Sequence, residues 1–250
     1  MKIAVLYTYV SRGPLSDDYA ARFVATWEKF PPDYDCDLIV CCNGGPPTIE
    51  GSIILNGRDA QFFVTNNEGY DIGAYTKAAH GPANGYDAVF CCGESIYFWR
   101  RGWLNRLVDA WLDYGEGMYG VISSYLVRPH LGTSAFMTSP GLLHRYPFKV
   151  HDRKTRYEYE HGKQSFWLHV NEKWHLPVRL VTWDGSYSWR DWRKPANIMW
   201  RGDQSNCLVR CIHLDRYDKV LPATKRAWER GADGFGASRM VFNPPELSPA

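Results

Sequence analysis

KIAVLYTYVSRGPLSDDYAARFVATWEKFPPDYDCDLIVCCN, residues 2–43, decides the fold. KIAVLYT, residues 2–8, is an apolar, β-branched run of the length of a buried strand, and the polar SRGPLSDD behind it supplies a loop. Ser16 is placed to cap a helix over about 17–30. DLIVCC then gives a second buried strand, stopped by the turn residues NGG at 43–45. The segment therefore reads as strand, helix, strand.

Working outward, SIILN (52–56) and QFFVTN (61–66) read as two further short strands. NNEGYDIGAY (66–75) relaxes the backbone before an amphipathic stretch, so a helix should begin near Asp71. DAVFCCG (87–93) is another fully apolar strand, followed by a long helix within 94–115 and a strand at YGVISS (119–124). This alternation predicts an α/β fold of Rossmann type, a mostly parallel sheet with helices on both faces. Beyond residue 130, SAFMTS reads as a strand, residues 155–174 as one long helix, and LPVRLVTW as a strand leading to a Trp-rich loop. The expected organisation is one domain over 1–232, with a loose tail at 233–250.

Composition narrows the function. With 29 basic and 27 acidic side chains in 250 residues, the formal charge of +2 advertises neither a nucleic-acid nor a membrane partner. No run approaches the ~20 apolar residues that span a bilayer, and the N-terminus lacks a signal-peptide pattern. Seven cysteines, two pairs of them adjacent in strand-like runs, suit buried reduced thiols and a cytoplasmic location. There is no P-loop, no GxGxxG after the first strand, no HExxH and no GxSxG, so kinase, dehydrogenase, metalloprotease and serine-hydrolase readings lose their basis.

An open parallel sheet binds ligands beyond the carboxyl ends of its strands. YTYV, NGG, NNEGYDIG and CGES fall there. Asp71, between Gly69 and Gly73 at a strand-to-helix junction, can accept from a ribose hydroxyl or can simply cap the helix. The spacing of Asn67, Gly69, Asp71 and Gly73, followed about 20 residues later by a strand ending at Gly93-Glu94-Ser95, resembles the rhamnan-synthesis-type glycosyltransferases and, more broadly, the GT-A fold.

That resemblance implies transfer of a sugar from a nucleotide-sugar, UDP-linked as the first choice, to a hydroxyl acceptor: a glycan, a small molecule or a modified nucleic-acid base. It implies a donor part over 1–125, with Tyr7, Thr8, Asn43, Asn67, Gly69 and Asp71 around the nucleotide, and an acceptor part over 126–232. Glu94 stands where the fold commonly carries an Asp-x-Asp motif for a divalent ion such as Mn²⁺ or Mg²⁺. With one carboxylate left, it is a single metal ligand, a direct donor contact or a helix cap. His213, in CIHLDRYD, resembles a C-terminal histidine that completes the metal site in some members.

Inverting transfer needs one carboxylate to take the acceptor proton. Glu160, preferred over Glu158, resembles the acidic residue that fills this role. The Asp203-Gln204 pair in WRGDQSN is similar instead to the acceptor side of some retaining enzymes. Trp183, Tyr187, Trp189, Trp192 and Trp200, interleaved with Arg190, Arg193 and Lys194, suit either stacking on an acceptor or loop packing. The incomplete acidic motif leaves a non-catalytic nucleotide- or glycan-binding protein as the alternative.

Overall fold

The computed structural model describes residues 1–57 and 59–232; the tail expected at 233–250 lies outside the described residues. In chain order the first half contains β1 (Ile3–Val10), α1 (Ser16–Lys29), β2 (Asp37–Asn43), α2 (Ile49–Asn56), β3 (Gln61–Thr65), α3 (Tyr70–His80), β4 (Ala88–Cys92) and α4 (Trp103–Tyr114). The second contains β5 (Met118–Gly120), β6 (Ser123–Ser124), β7 (His130–Leu131), β8 (Ala135–Thr138), α5 (Pro140–Arg145), α6 (Arg153–His161), α7 (Phe166–Leu168), β9 (Val178–Val181), β10 (Ser186–Ser188), α8 (Ile212–Lys219) and α9 (Pro222–Ala232).

Eight strands form one sheet in the order β10-β9-β5-β8-β4-β1-β2-β3. β3, β2, β1 and β4 are parallel neighbours, as are β5 and β9. β8 runs antiparallel to β4 and β5, and β10 antiparallel to β9. The sheet is thus the mostly parallel one expected, and it draws strands from both sides of residue 125.

Period-2 alternation sends Ile3, Val5, Tyr7 and Tyr9 into one core, with Phe23, Leu55, Trp103 and Leu107, and sends Ala4 and Leu6 into a second, with Ile72, Tyr75, Tyr159 and Phe166. So α1, α2 and α4 cover one face and α3, α5 and α6 the other. Right-handed crossovers dictate this, because the chain leaves β1 toward β3 on one side and returns to β4 on the other. The reversal puts a topological switch point between β1 and β4, and ligand crevices open there.

Four readings are corrected. YGVISS is not one strand: β5 ends at Gly120 in the main sheet, and Ser123–Ser124 form β6, paired with β7 in a separate two-stranded sheet. SIILN is not a strand but most of α2: the Thr48 side chain accepts from the Gly51 N–H and caps the helix, and a short apolar run cannot separate strand from helix by itself. The helix expected across 155–174 breaks at Gly162, where a Cβ would sit 2.0 Å from Glu158 Oε2, and resumes as α7 and a π-turn at 169–173. Ser16 begins α1 without capping it, its hydroxyl being used elsewhere.

All seven cysteines are free, and all but the partly buried Cys36 are buried. Burial pushes the Cys41, Cys91 and Cys92 thiols up, which suits inert packing groups. Among the described residues no helix is long and apolar enough to cross a membrane.

Candidate functional site

Two groups of side chains flank the switch point. On the α1 side stands Glu94, one residue past the Gly93 whose N–H donates to Ser134 O at the start of β8. Glu94 Oε1 accepts from the Val10 N–H at 3.2 Å and from the Ser16 hydroxyl. One carboxylate therefore ties together the ends of β1 and β4 and the start of α1. Burial pushes its carboxyl above the ordinary range, against the lowering effect of those two donors. Behind it, Tyr9 Oη donates to Asp17 at 2.6 Å, and Thr48 Oγ1 reaches the same carboxylate at 2.9 Å.

On the α3 side lies a second carboxylate group. Arg156 of α6 holds Asp71 with Nε to Oδ1 at 2.8 Å and Nη2 to Oδ2 at 3.0 Å, and its Nη1 donates to Glu160 Oε2 at 3.3 Å. Glu160 Oε1 takes the Thr133 N–H at 3.1 Å. Burial would raise the Glu160 carboxyl, but Arg156, His130, the Thr133 N–H and His161 together hold it below the usual range. Asp71 also accepts from its own neighbour, Ile72 N–H, at 3.0 Å. Below this group, the Thr8, Tyr75, Thr133 and Tyr159 hydroxyls are buried, and none makes a hydrogen bond of standard geometry among the described residues.

Two glycines explain how the second group is assembled. Gly69 has φ +80°, and a Cβ there would lie 2.2 Å from Val150 O; at Gly73 it would lie 1.9 Å from Glu68 O. Their work is to let the segment before α6 close on the start of α3, with Gly69 N–H donating to His151 O. This brings Arg156 to Asp71.

The sequence-predicted residues divide. Asn67 is exposed at the rim beside Gly44. Tyr7, Thr8 and Asn43 lie beneath the floor. Tyr7 is fully buried, stacks on Phe23 at 4.1 Å and donates to Glu94 O at 3.0 Å. Asn43 donates to Tyr70 O at 2.9 Å and accepts from Thr65 Oγ1 at 2.7 Å. They support the crevice without lining it.

His213 is exposed in the first turn of α8. The surrounding walls desolvate its ring, and with Arg216 and Arg156 they hold the imidazole below the usual histidine range, Glu160 opposing. Gln204 is buried and braces its loop, accepting from Trp200 N–H at 3.0 Å and donating to Leu214 O at 3.4 Å. The aromatic cluster also splits. Trp192 is fully buried, Trp183 donates to Cys207 O at 2.8 Å, and Trp189 is 45% exposed. Arg156, Thr133 and the stacked or tilted neighbours of His161, Tyr157 and His130, were not singled out from sequence. The i,i+4 spacing of Arg156 and Glu160 was the one signal available.

A divalent cation, which the fold resemblance implies, does not suit this donor set. Glu94 brings one carboxylate, flanked by a cysteine, a glycine and a serine, and one of its oxygens already takes two protein donors. Among the described residues no three His, Cys, Asp or Glu side chains are grouped to hold a metal.

No protein-family model and no curated protein sequence matches the chain. In three dimensions it is similar to a galactosyltransferase, LgtC, solved with donor and acceptor sugar analogs, at 10% identity and a TM-score of 0.41, over 55% of this chain and 58% of that one. It is similar also to a cytidylyltransferase from Leptospira borgpetersenii, at 12% identity and a TM-score of 0.49, over 70% and 74%. A third is S. aureus TarS, at 12% identity and a TM-score of 0.45, over 62% and 53%. The chain spans little more than half the length of the galactosyltransferase and of TarS, and these partial likenesses assign no residue a role.

Proposed function

We propose that this chain transfers a sugar from a nucleotide-sugar, UDP-linked as the first choice, to a hydroxyl acceptor, with inversion at the anomeric carbon. The observation that carries the reading is the β1/β4 switch point, with Glu94 at the end of β4 tied to the α1 side and the Asp71–Arg156–Glu160 group assembled on the α3 side. The N-x-G-x-D-x-G spacing, which builds the α3-side group, supports it.

In this reading the nucleotide lies over the ends of β1 to β3, touching Asn67 and the Gly44–Gly45 turn, with Tyr7, Thr8 and Asn43 holding the floor. Gly69 and Asp71 act indirectly, by docking α6. Glu94 bonds a donor hydroxyl or the diphosphate directly. Because the donor set does not suit a metal, the charge of the leaving diphosphate falls to guanidinium groups. Arg216, within electrostatic reach of Tyr19 on α1 and of His213, is the one assigned here.

Glu160 is the base. As the acceptor oxygen bonds to the anomeric carbon, the bond to the diphosphate oxygen breaks with its electron pair, and the acceptor proton passes to the Glu160 carboxylate. A carboxylate held below the usual range is a weak base toward a free hydroxyl. It is adequate once that hydroxyl has begun to bond to carbon and its acidity has risen.

The Asp71 carboxylate, fully engaged by Arg156, favours a second reading, a binding protein without transfer activity. Release of UDP from UDP-hexoses, followed with and without acceptor sugars, separates the two. Release that Glu160→Gln suppresses supports the transferase, and none with any donor supports the binding protein.

A further inference from the structure

Beside His161, the last residue of α6, is a cavity of about 390 Å³. Trp167, Trp189, His161, Arg128, Asn171 and Glu172 line it. We propose that this cavity is the acceptor subsite and that its occupant is a neutral pyranose, stacked against indole; the proposal rests on the transferase reading above.

Three features carry it. First, Trp189 is 45% exposed, although the other indoles of its loop are buried or half-buried. An indole left open at the wall of a concavity offers a large rigid apolar surface and a negative face for partially positive C–H groups, which line one side of a pyranose. Second, the polar lining combines a guanidinium, an amide and a carboxylate. Sugar hydroxyls both donate and accept, and this set answers both needs. A nucleoside diphosphate would be placed against Glu172, so the donor is the poorer occupant.

Third, the cavity is next to the chemistry. His161 lines it and directly follows Glu160 in α6, and its ring lies 5.3 Å from that of His130, whose neighbour by one strand residue, Leu131, is close to Thr133 in the loop that holds Glu160. A sugar seated against Trp189 has one edge at His161, one residue along α6 from the carboxylate assigned to take its proton. The volume lies in the range of small-ligand sites, about 300–1,000 Å³, and accommodates a ring with a substituent.

Saturation-transfer NMR on the full chain, with methyl α- and β-pyranosides of glucose, galactose, rhamnose and N-acetylglucosamine as probes, tests this. UDP binding is followed separately by thermal shift. At least one glycoside should give saturation transfer in the wild type, and Trp189→Ala should weaken it on the order of tenfold, as for a stacked aromatic anchor. Asn171→Ala, which removes no large side chain, should weaken it too if Trp189→Ala alters folding. Signals lost in these variants, with UDP binding intact, establish the subsite.

Glycoside signals unchanged by both substitutions, or absent in a protein that binds UDP, overturn the subsite and leave the donor reading standing. Glycoside signals lost in Trp189→Ala, in a protein that binds no nucleotide, keep the sugar site and overturn the transferase reading.

Discussion

Arg156 grips Asp71 through two parallel hydrogen bonds of 2.8 and 3.0 Å, joining α6 to the first turn of α3 across 85 residues of chain. Arg156 and Asp71 side chains are 23% and 14% exposed, so the pair is partly desolvated. It fixes where Glu160 stands, because Arg156 also donates to that carboxylate.

Asp71→Ala should therefore destabilise the fold by about 3 kcal/mol, the scale for removing one partner of a buried ion pair. Arg156→Leu should cost at least as much, since it removes the partner of Asp71 and of Glu160 together. Urea unfolding of the two variants checks this. Loss of donor binding in Asp71→Ala at full stability would show instead that Asp71 touches the nucleotide.

Glu160 has a folded-state pKa below its unfolded value, so its contribution to stability is present above the unfolded value, about 4.3, and disappears as pH falls through the folded one. Glu160→Gln should lose stability relative to wild type at pH 7, with the difference shrinking below about pH 4. Transfer should fall by about 10²–10⁴-fold while UDP binding stays, and the acid limb of the wild-type rate profile should lie below the ordinary carboxylate range.

Glu94 behaves in the opposite sense. Its pKa is raised on folding, so ionisation costs stability as pH rises through the unfolded and then the folded value. Glu94→Gln should raise the melting temperature at pH 7 to 8, leave it nearly unchanged at pH 4, and abolish transfer. Thermal melts at the two pH values, with UDP-release assays, test the trade.

A direct protein-to-diphosphate contact predicts that EDTA leaves UDP-release rates unchanged. Arg216→Ala should weaken UDP binding by about tenfold, as for one charge-assisted contact to phosphate. Restoration of EDTA-treated enzyme by Mn²⁺ alone would return the charge compensation to a metal.

The order of strands and helices was legible because each buried strand is a short apolar run stopped by Gly or Asn, and each helix an amphipathic stretch behind a polar loop. Glu94 was legible for the same reason, as the first acidic group past a strand end. SIILN was misread because its cap, Thr48, stands outside the apolar run. Tyr7 and Asn43 were placed around the nucleotide because they fall near strand ends, which tells where a ligand crevice opens and not whether neighbouring elements cover the side chain. The Asp71–Arg156 contact, between residues 85 apart, had no local signal at all, since it depends on the close approach that Gly69 and Gly73 permit.

The most direct test of the account is the melting temperature of the wild-type chain with uridine, adenosine, guanosine and cytidine diphosphates and their sugar conjugates, each with EDTA. Binding to the folded state alone stabilises by about 2.7 kcal/mol at a hundredfold excess over Kd. The account predicts a rise with UDP and UDP-sugars that EDTA does not diminish. No rise with any nucleotide would contradict it.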